Sequence, residues 1–157
     1  MKLELWLQGA TAFDYLKTGV ELYEKRIKHM IPFELNILSD IKNAKTMSEE
    51  ILKIKEGENQ LKKIENTDFL ILLDEKGKEY NSLEFSVYVE NMFLKSNKRV
   101  IFMVGGAYGF SENVYKRADA KWSLSKLTFS HQMIRLFAVE QIYRALSITK
   151  GLPYHHE

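Results

Sequence analysis

Arg99-Val100-Ile101-Phe102-Met103-Val104-Gly105-Gly106-Ala107-Tyr108-Gly109 is the stretch that decides the fold. From Val100 to Val104 it is an unbroken apolar run, which reads as a strand covered on both faces rather than one with a wet side. It then empties into a three-glycine turn, and Ser111 just beyond is a suitable start for a short helix. Phe69-Leu70-Ile71-Leu72-Leu73 has the same character, since nothing in it alternates, and the turn Asp74-Glu75-Lys76-Gly77-Lys78 follows it. Strands buried on both sides belong to parallel sheets with helices above and below.

Working outward, the rest of the chain supplies those helices. Leu3-Glu4-Leu5-Trp6-Leu7 reads as an N-terminal strand with Leu3, Leu5 and Leu7 at period two. From Thr11 the period changes: Phe13, Leu16, Val20, Tyr23, Ile27 and Met30 recur at steps of three and four and stack on one helical face. Pro32 ends that helix, and Phe33 to Leu38 alternates as a second strand. Thr46-Met47-Ser48-Glu49 resembles a capping box, opening a helix that carries Met47, Ile51, Ile54, Leu61 and Ile64. Gly57 in its middle costs about 1 kcal/mol relative to Ala and marks a bend or a close approach. A helix from Ser82 includes Leu83, Val87 and Phe93, and a short strand is expected at Trp122 before a final helix. The alternation predicts an α/β fold, a mostly parallel sheet with helices on both faces, in one domain spanning 1–157.

Composition narrows the function. Zero cysteines exclude disulfides, thiolate metal sites and cysteine nucleophiles. His155-His156 beside Glu157 reads as a solvated terminal pair, so no metal is expected. No apolar run approaches the roughly 20 residues of a membrane span, which predicts a soluble, cytoplasmic protein with no membrane partner. Lys and Arg number 23 against 21 Asp and Glu, a net charge of +2, so any RNA contact must be local. Segments 24–29 and 42–63 mix Glu with their basic residues, as a solvated helix face does. Lys116, Arg117, Lys121, Lys126, Arg135, Arg144 and Lys150 face few acids and form the better candidate for a phosphate-facing surface.

Ligands of open α/β sheets sit beyond the carboxyl ends of the strands. Three such ends stand out: Leu72-Leu73-Asp74, Val104-Gly105-Gly106, and the loop Ser123-Leu124-Ser125-Lys126-Leu127-Thr128-Phe129-Ser130. Glycines at 105, 106 and 109 allow positive φ and close approach to backbone amides, although on this motif alone an ordinary tight turn is the better account. Their spacing is neither the dinucleotide G-x-G-x-x-G nor a P-loop, which disfavours nucleotide hydrolysis.

Val104 to Phe110, Trp122 to Arg135, Glu140-Gln141-Ile142-Tyr143-Arg144-Ala145 and Pro153-Tyr154-His155 together resemble the RlmH family. Met1-Lys2-Leu3, Tyr23-Glu24-Lys25-Arg26 and Lys55-Glu56-Gly57-Glu58 extend the resemblance over the whole chain. These are small SPOUT-class methyltransferases that use S-adenosyl-L-methionine to methylate N3 of a pseudouridine in large-subunit (23S) rRNA. The resemblance implies a C-terminal trefoil knot, which periodicity could not show, and a homodimer. It also implies cofactor contacts at Leu73, at Gly105 and along Leu124, Ser125, Lys126, Leu127, Thr128 and Phe129, the same three strand ends. A chain with no extra RNA-binding domain implies a substrate presented by the assembled ribosome. The alternatives are a SPOUT enzyme with another RNA target and a noncatalytic RNA-binding α/β module.

The chemistry asks for alignment of a nucleophilic nitrogen and removal of its imide proton. His131 and Glu140 are candidates to take or relay the proton, and Arg135 or Arg144 to stabilise negative charge on the flanking carbonyls. Equally, Glu140 and Arg144 have the spacing of a helical ion pair and His131 that of a helix-start cap. Tyr154 and His155 are expected to reach the partner subunit's pocket and help position RNA.

Overall fold

The computed structural model describes residues 1–95 and 98–156. In chain order the elements are β1 (Lys2–Gln8), α1 (Asp14–Lys28), β2 (Phe33–Leu38), α2 (Glu49–Leu61), β3 (Phe69–Lys78), α3 (Ser82–Phe93), β4 (Arg99–Val104), α4 (Glu112–Arg117), β5 (Ala120–Trp122) and α5 (Met133–Thr149). The five strands form one sheet in the order β2-β1-β4-β3-β5, and each pairing is parallel. The α/β architecture with helices on both faces is as expected.

Alternation along the strands divides the core in two. Leu3, Leu5 and Leu7 of β1, with Val100, Phe102 and Val104 of β4, pack against Val20 and Ile27 of α1, Phe85 and Val89 of α3, and Ala138 and Ile142 of α5. The opposite set, Trp6, Leu72, Ile101 and Met103, meets Val114 of α4 and Leu61 of α2. β1 is therefore buried from Leu3 to Gln8 on both sides, not only at its period-two leucines. Its polar residues on the second face are paired: Glu4 accepts hydrogen bonds from Trp6 Nε1 at 2.6 Å and Asn36 Nδ2 at 2.9 Å.

Three local readings change. Phe13 lies outside α1 at its N-cap and is 51% exposed, so the buried stripe starts at Leu16. In α2, Ser48 does cap the helix, accepting from Ile51 N at 3.2 Å, but Ile51 and Ile54 face outward. The buried residues are Glu56, Gly57 and Gln60. The cause is Gly57: a Cβ there would lie 2.3 Å from Ser111 Oγ, so the missing side chain lets α2 close onto the start of α4. Last, residues 74–78 are a bulged continuation of β3, because Leu73 and Lys78 are both in register with Trp122. Gly77 permits this, since a Cβ there would sit 2.7 Å from backbone atoms of Lys121 and Trp122.

Candidate functional site

A cleft of about 410 Å³ opens at the carboxyl ends of β3, β4 and β5. Its walls are the bulge Leu73 to Lys76, the turn Val104 to Phe110, and the loop from Trp122, with Leu124, Ser125, Leu127, Thr128 and Phe129 facing the space. Of the eight residues expected at a cofactor, Lys126 is not part of the lining; its side chain is exposed. Asp74, already at one of the expected strand ends, also joins the walls, as do Glu75, Lys76, Tyr108 and Tyr115; Glu75 and Lys76 look like a solvated turn in sequence and are brought in by the β3 bulge.

The glycine turn has a specific geometry. Gly109 alone of its three glycines takes positive φ, at 81°, and its N–H donates to Gly106 O at 3.1 Å to close the turn. Gly105 and Gly106 are needed for close approach instead: a Cβ on Gly105 would press on the Phe110 ring at 3.2 Å, and one on Gly106 would lie 2.5 Å from Glu56 Oε2. The facing loop is pinned by its own bonds. Ser123 Oγ donates to Ser125 O at 2.8 Å, and Ser125 Oγ accepts from Leu127 N at 3.0 Å. Thr128 Oγ1 donates to Glu75 Oε2 at 2.8 Å and ties the loop to the bulge. Under the site Trp122 stacks on Phe85 with centroids 4.2 Å apart. The result is a pocket with a hydrogen-bonded loop for one wall, combining glycine, serine and threonine positions with Leu73, Leu124 and Phe129, a surface suited to a nucleoside with a polar tail.

The candidates for chemistry separate into three places. His131 lines the cleft, and burial followed by the nearby Arg135 charge holds its pKa below the ordinary histidine value. Arg135 is fully buried and outside the lining. Its guanidinium donates to Gln8 O at 2.6 Å, Gly9 O at 2.8 Å, Thr11 Oγ1 at 3.2 Å and His131 O at 3.0 Å. Expected as a charge stabiliser, it instead bolts the β1–α1 loop to the start of α5. Glu140, Arg144, Tyr154 and His155 form a separate cluster that contributes no residue to the cleft walls. There Glu140 Oε1 accepts from Arg144 Nη2 at 2.6 Å and Tyr154 Oη at 2.9 Å, Gln141 donates to Oε2 at 2.8 Å, and Arg144 Nη1 lies 3.2 Å from His155 Nδ1. Tyr23 and Tyr143 pack around the Tyr154 ring, and burial raises the Tyr154 phenol, reinforced by its bonds to Tyr23 and Glu140.

The basic C-terminal third is largely used internally. Lys116 pairs with Glu112, Arg117 with Asp119 and the carbonyls of Glu65 and Asp68, and Arg135 and Arg144 as described. Its exposed cations are Lys121, Lys126, Lys150 and Lys116, the last in a surface ion pair with Glu112. Glu157, read beside His155-His156, lies outside the described residues, and among those described no cluster of three or more His, Cys, Asp or Glu could hold a metal.

A parallel α/β sheet with a backbone-lined cleft at its strand ends defines a nucleoside- or cofactor-binding domain. The family model described as "Predicted SPOUT methyltransferase" matches residues 1–155, and the chain belongs to that family. It is 53% identical over 157 residues to "Ribosomal RNA large subunit methyltransferase H" of Parabacteroides distasonis, covering all of both chains. The protein of the same name from Christiangramia forsetii is 49% identical over 156 residues, 99% of each chain. Among solved structures, the tRNA (m1G37) methyltransferase of Aquifex aeolicus superposes with a TM-score of 0.57 at 17% identity, over 98% of this chain and 72% of that one, a likeness of fold.

Proposed function

We propose that the chain transfers the methyl group of S-adenosyl-L-methionine to large-subunit (23S) rRNA, at N3 of a pseudouridine presented by the assembled ribosome. The observation that carries this reading is the meeting of Leu73, Gly105 and the 124–129 loop in one cleft, in a chain whose full-length relatives bear the name of a large-subunit rRNA methyltransferase. In it, the Gly105–Gly106 turn and the backbone of the loop hold the polar edges of the cofactor, while Leu73, Leu124, Leu127 and Phe129 enclose its adenosine. When bound, the cofactor supplies a methyl group made electrophilic by its sulfonium. The protein's share is alignment and proton removal.

His131 is the group in the cleft suited to take the imide proton, because its lowered pKa keeps the imidazole neutral near pH 7. Glu140 is less suited within its own cluster, where three donors occupy its oxygens. In this reading the chain works as a homodimer and Arg144, Tyr154 and His155 serve the partner's cleft, positioning RNA and offsetting charge on the carbonyls beside N3. Their absence from the cleft of their own chain supports that arrangement. Family membership supports threading of the C-terminal segment as a trefoil knot. Calorimetric titration with S-adenosyl-L-methionine tests the cofactor assignment: saturable binding is expected, and no saturable heat would refute it.

A further inference from the structure

Glu56 lies behind the glycine turn and takes no part in the site described above. The same close approach that exposes Ile51 and Ile54 drives its side chain inward, leaving the residue 7% exposed. Its Oε2 occupies the space that a Cβ on Gly106 would need, 2.5 Å from that position, so the carboxyl group fills the underside of the turn. Among the described residues neither Glu56 Oε2 nor Gln60 Oε1 has a hydrogen-bond partner, and both are buried. The two residues are four apart on α2 and share a face. A buried carboxyl oxygen without a donor favours a proton on the acid, since the neutral group is spared an uncompensated charge.

Among the described residues no hydrogen-bond donor meets Glu56 Oε2, and no opposite charge is among the groups acting on the carboxyl. Gly106, against which its Oε2 lies, is uncharged, as are Ser111 beside Gly57 and the Gln60–Gln8 pair, in which Gln60 Nε2 donates to Gln8 Oε1 at 3.1 Å. Asp40, after β2, is the charge that acts on it, and it has the same sign. His131 and Arg135 feel Asp40 from α5 and the loop before it, and are not among the groups acting on Glu56. Burial, then Asp40, raises the Glu56 carboxyl to about 7.

We propose that Glu56 is a positioning residue of the cofactor site, which as the neutral acid supports the Gly105–Gly106 turn and on ionisation withdraws that support, weakening S-adenosyl-L-methionine binding as pH rises through neutrality. This rests on the cofactor reading of the cleft. A group with a midpoint near 7 is about nine-tenths neutral at pH 6 and about one-tenth neutral at pH 8, so affinity linked to the neutral form falls by up to about tenfold over that interval.

The experiment is calorimetric measurement of the S-adenosyl-L-methionine Kd at pH 6, 7 and 8 for the full chain and for Glu56→Gln. Gln keeps the shape and a donor but cannot ionise. Comparing the two proteins at each pH removes contributions from the ligand's own titration and from His131. The Kd of the wild type should rise by up to about tenfold relative to the variant from pH 6 to pH 8, and parallel pH dependences would overturn the proposal. Absence of saturable binding by the wild type at every pH would overturn the cofactor reading instead, and the proposal with it. Asp40→Asn provides a second test that leaves Glu56 in place. Removing the like charge should move the wild-type midpoint to lower pH, and an unmoved midpoint would also count against the assignment.

Discussion

Replacing Glu56 by Gln should stabilise the fold at pH 8 relative to its effect at pH 4. The folded chain holds the Glu56 proton up to about pH 7, whereas an unfolded carboxyl releases it around its ordinary value of 4.5. Between those values the folded state binds more protons, so stability falls as pH rises, and the loss is complete above the folded pKa. The gap between 4.5 and about 7, at about 1.4 kcal/mol per pH unit, makes the cost of ionising Glu56 in place about 3 kcal/mol. Gln carries no such cost. Urea denaturation at pH 4 and pH 8, at one fixed protein concentration because of the proposed dimer, gives the difference in unfolding free energy between variant and wild type at each pH. That difference should be about 3 kcal/mol more favourable to the variant at pH 8. Equal differences at both pH values would show that Glu56 is ionised without penalty and that the buried, unpartnered carboxyl has been misread.

Arg135→Met should destabilise the protein by about 3 kcal/mol or more, because Gln8 O, Gly9 O and His131 O lose charged donors in a buried setting; a loss below about 1 kcal/mol in urea would return Arg135 to the list of free cations. Gly106→Ala should cost about 1–3 kcal/mol through overlap with the Glu56 carboxyl and weaken cofactor binding. The stability cost should largely vanish in a Glu56→Ala background, and an additive double mutant would refute the contact. Deleting residues 153–157 should reduce methyl transfer far more than unfolding free energy, and a truncated chain with unchanged kinetics would remove Tyr154 and His155 from the mechanism. His131→Ala should keep cofactor binding while slowing single-turnover methyl transfer, and full rates would exclude it as proton acceptor.

The parallel sheet was legible because Phe69–Leu73 and Val100–Val104 are continuous apolar runs of strand length, the pattern of strands covered on both faces. The three strand ends were legible for the same reason, since an open sheet has few places for a ligand. What misled was periodicity where packing is set by a missing side chain. Ile51 and Ile54 form a respectable apolar stripe, yet Gly57 lets α2 approach α4 with its other side, and the stripe is left outside. Gly57 itself was the available signal of that approach. Residues 74–77 look like a turn because local chemistry cannot reveal that strand pairing resumes at Lys78. Spacing also could not tell a free arginine from Arg135, whose partners at 8, 9 and 11 lie far away in sequence. The separation of the Glu140 cluster from the cleft is a three-dimensional fact that one helix pattern cannot carry.

The most direct test of the proposed activity uses ribosomes from a strain lacking this protein, incubated with the purified chain and S-adenosyl-L-methionine carrying a labelled methyl group, with the product located by mass spectrometry of the rRNA. One methyl group is expected at N3 of a single 23S pseudouridine, formed on assembled ribosomes and not on naked rRNA. Label appearing on tRNA, equal labelling of naked rRNA, or no transfer by a chain that binds the cofactor would contradict it.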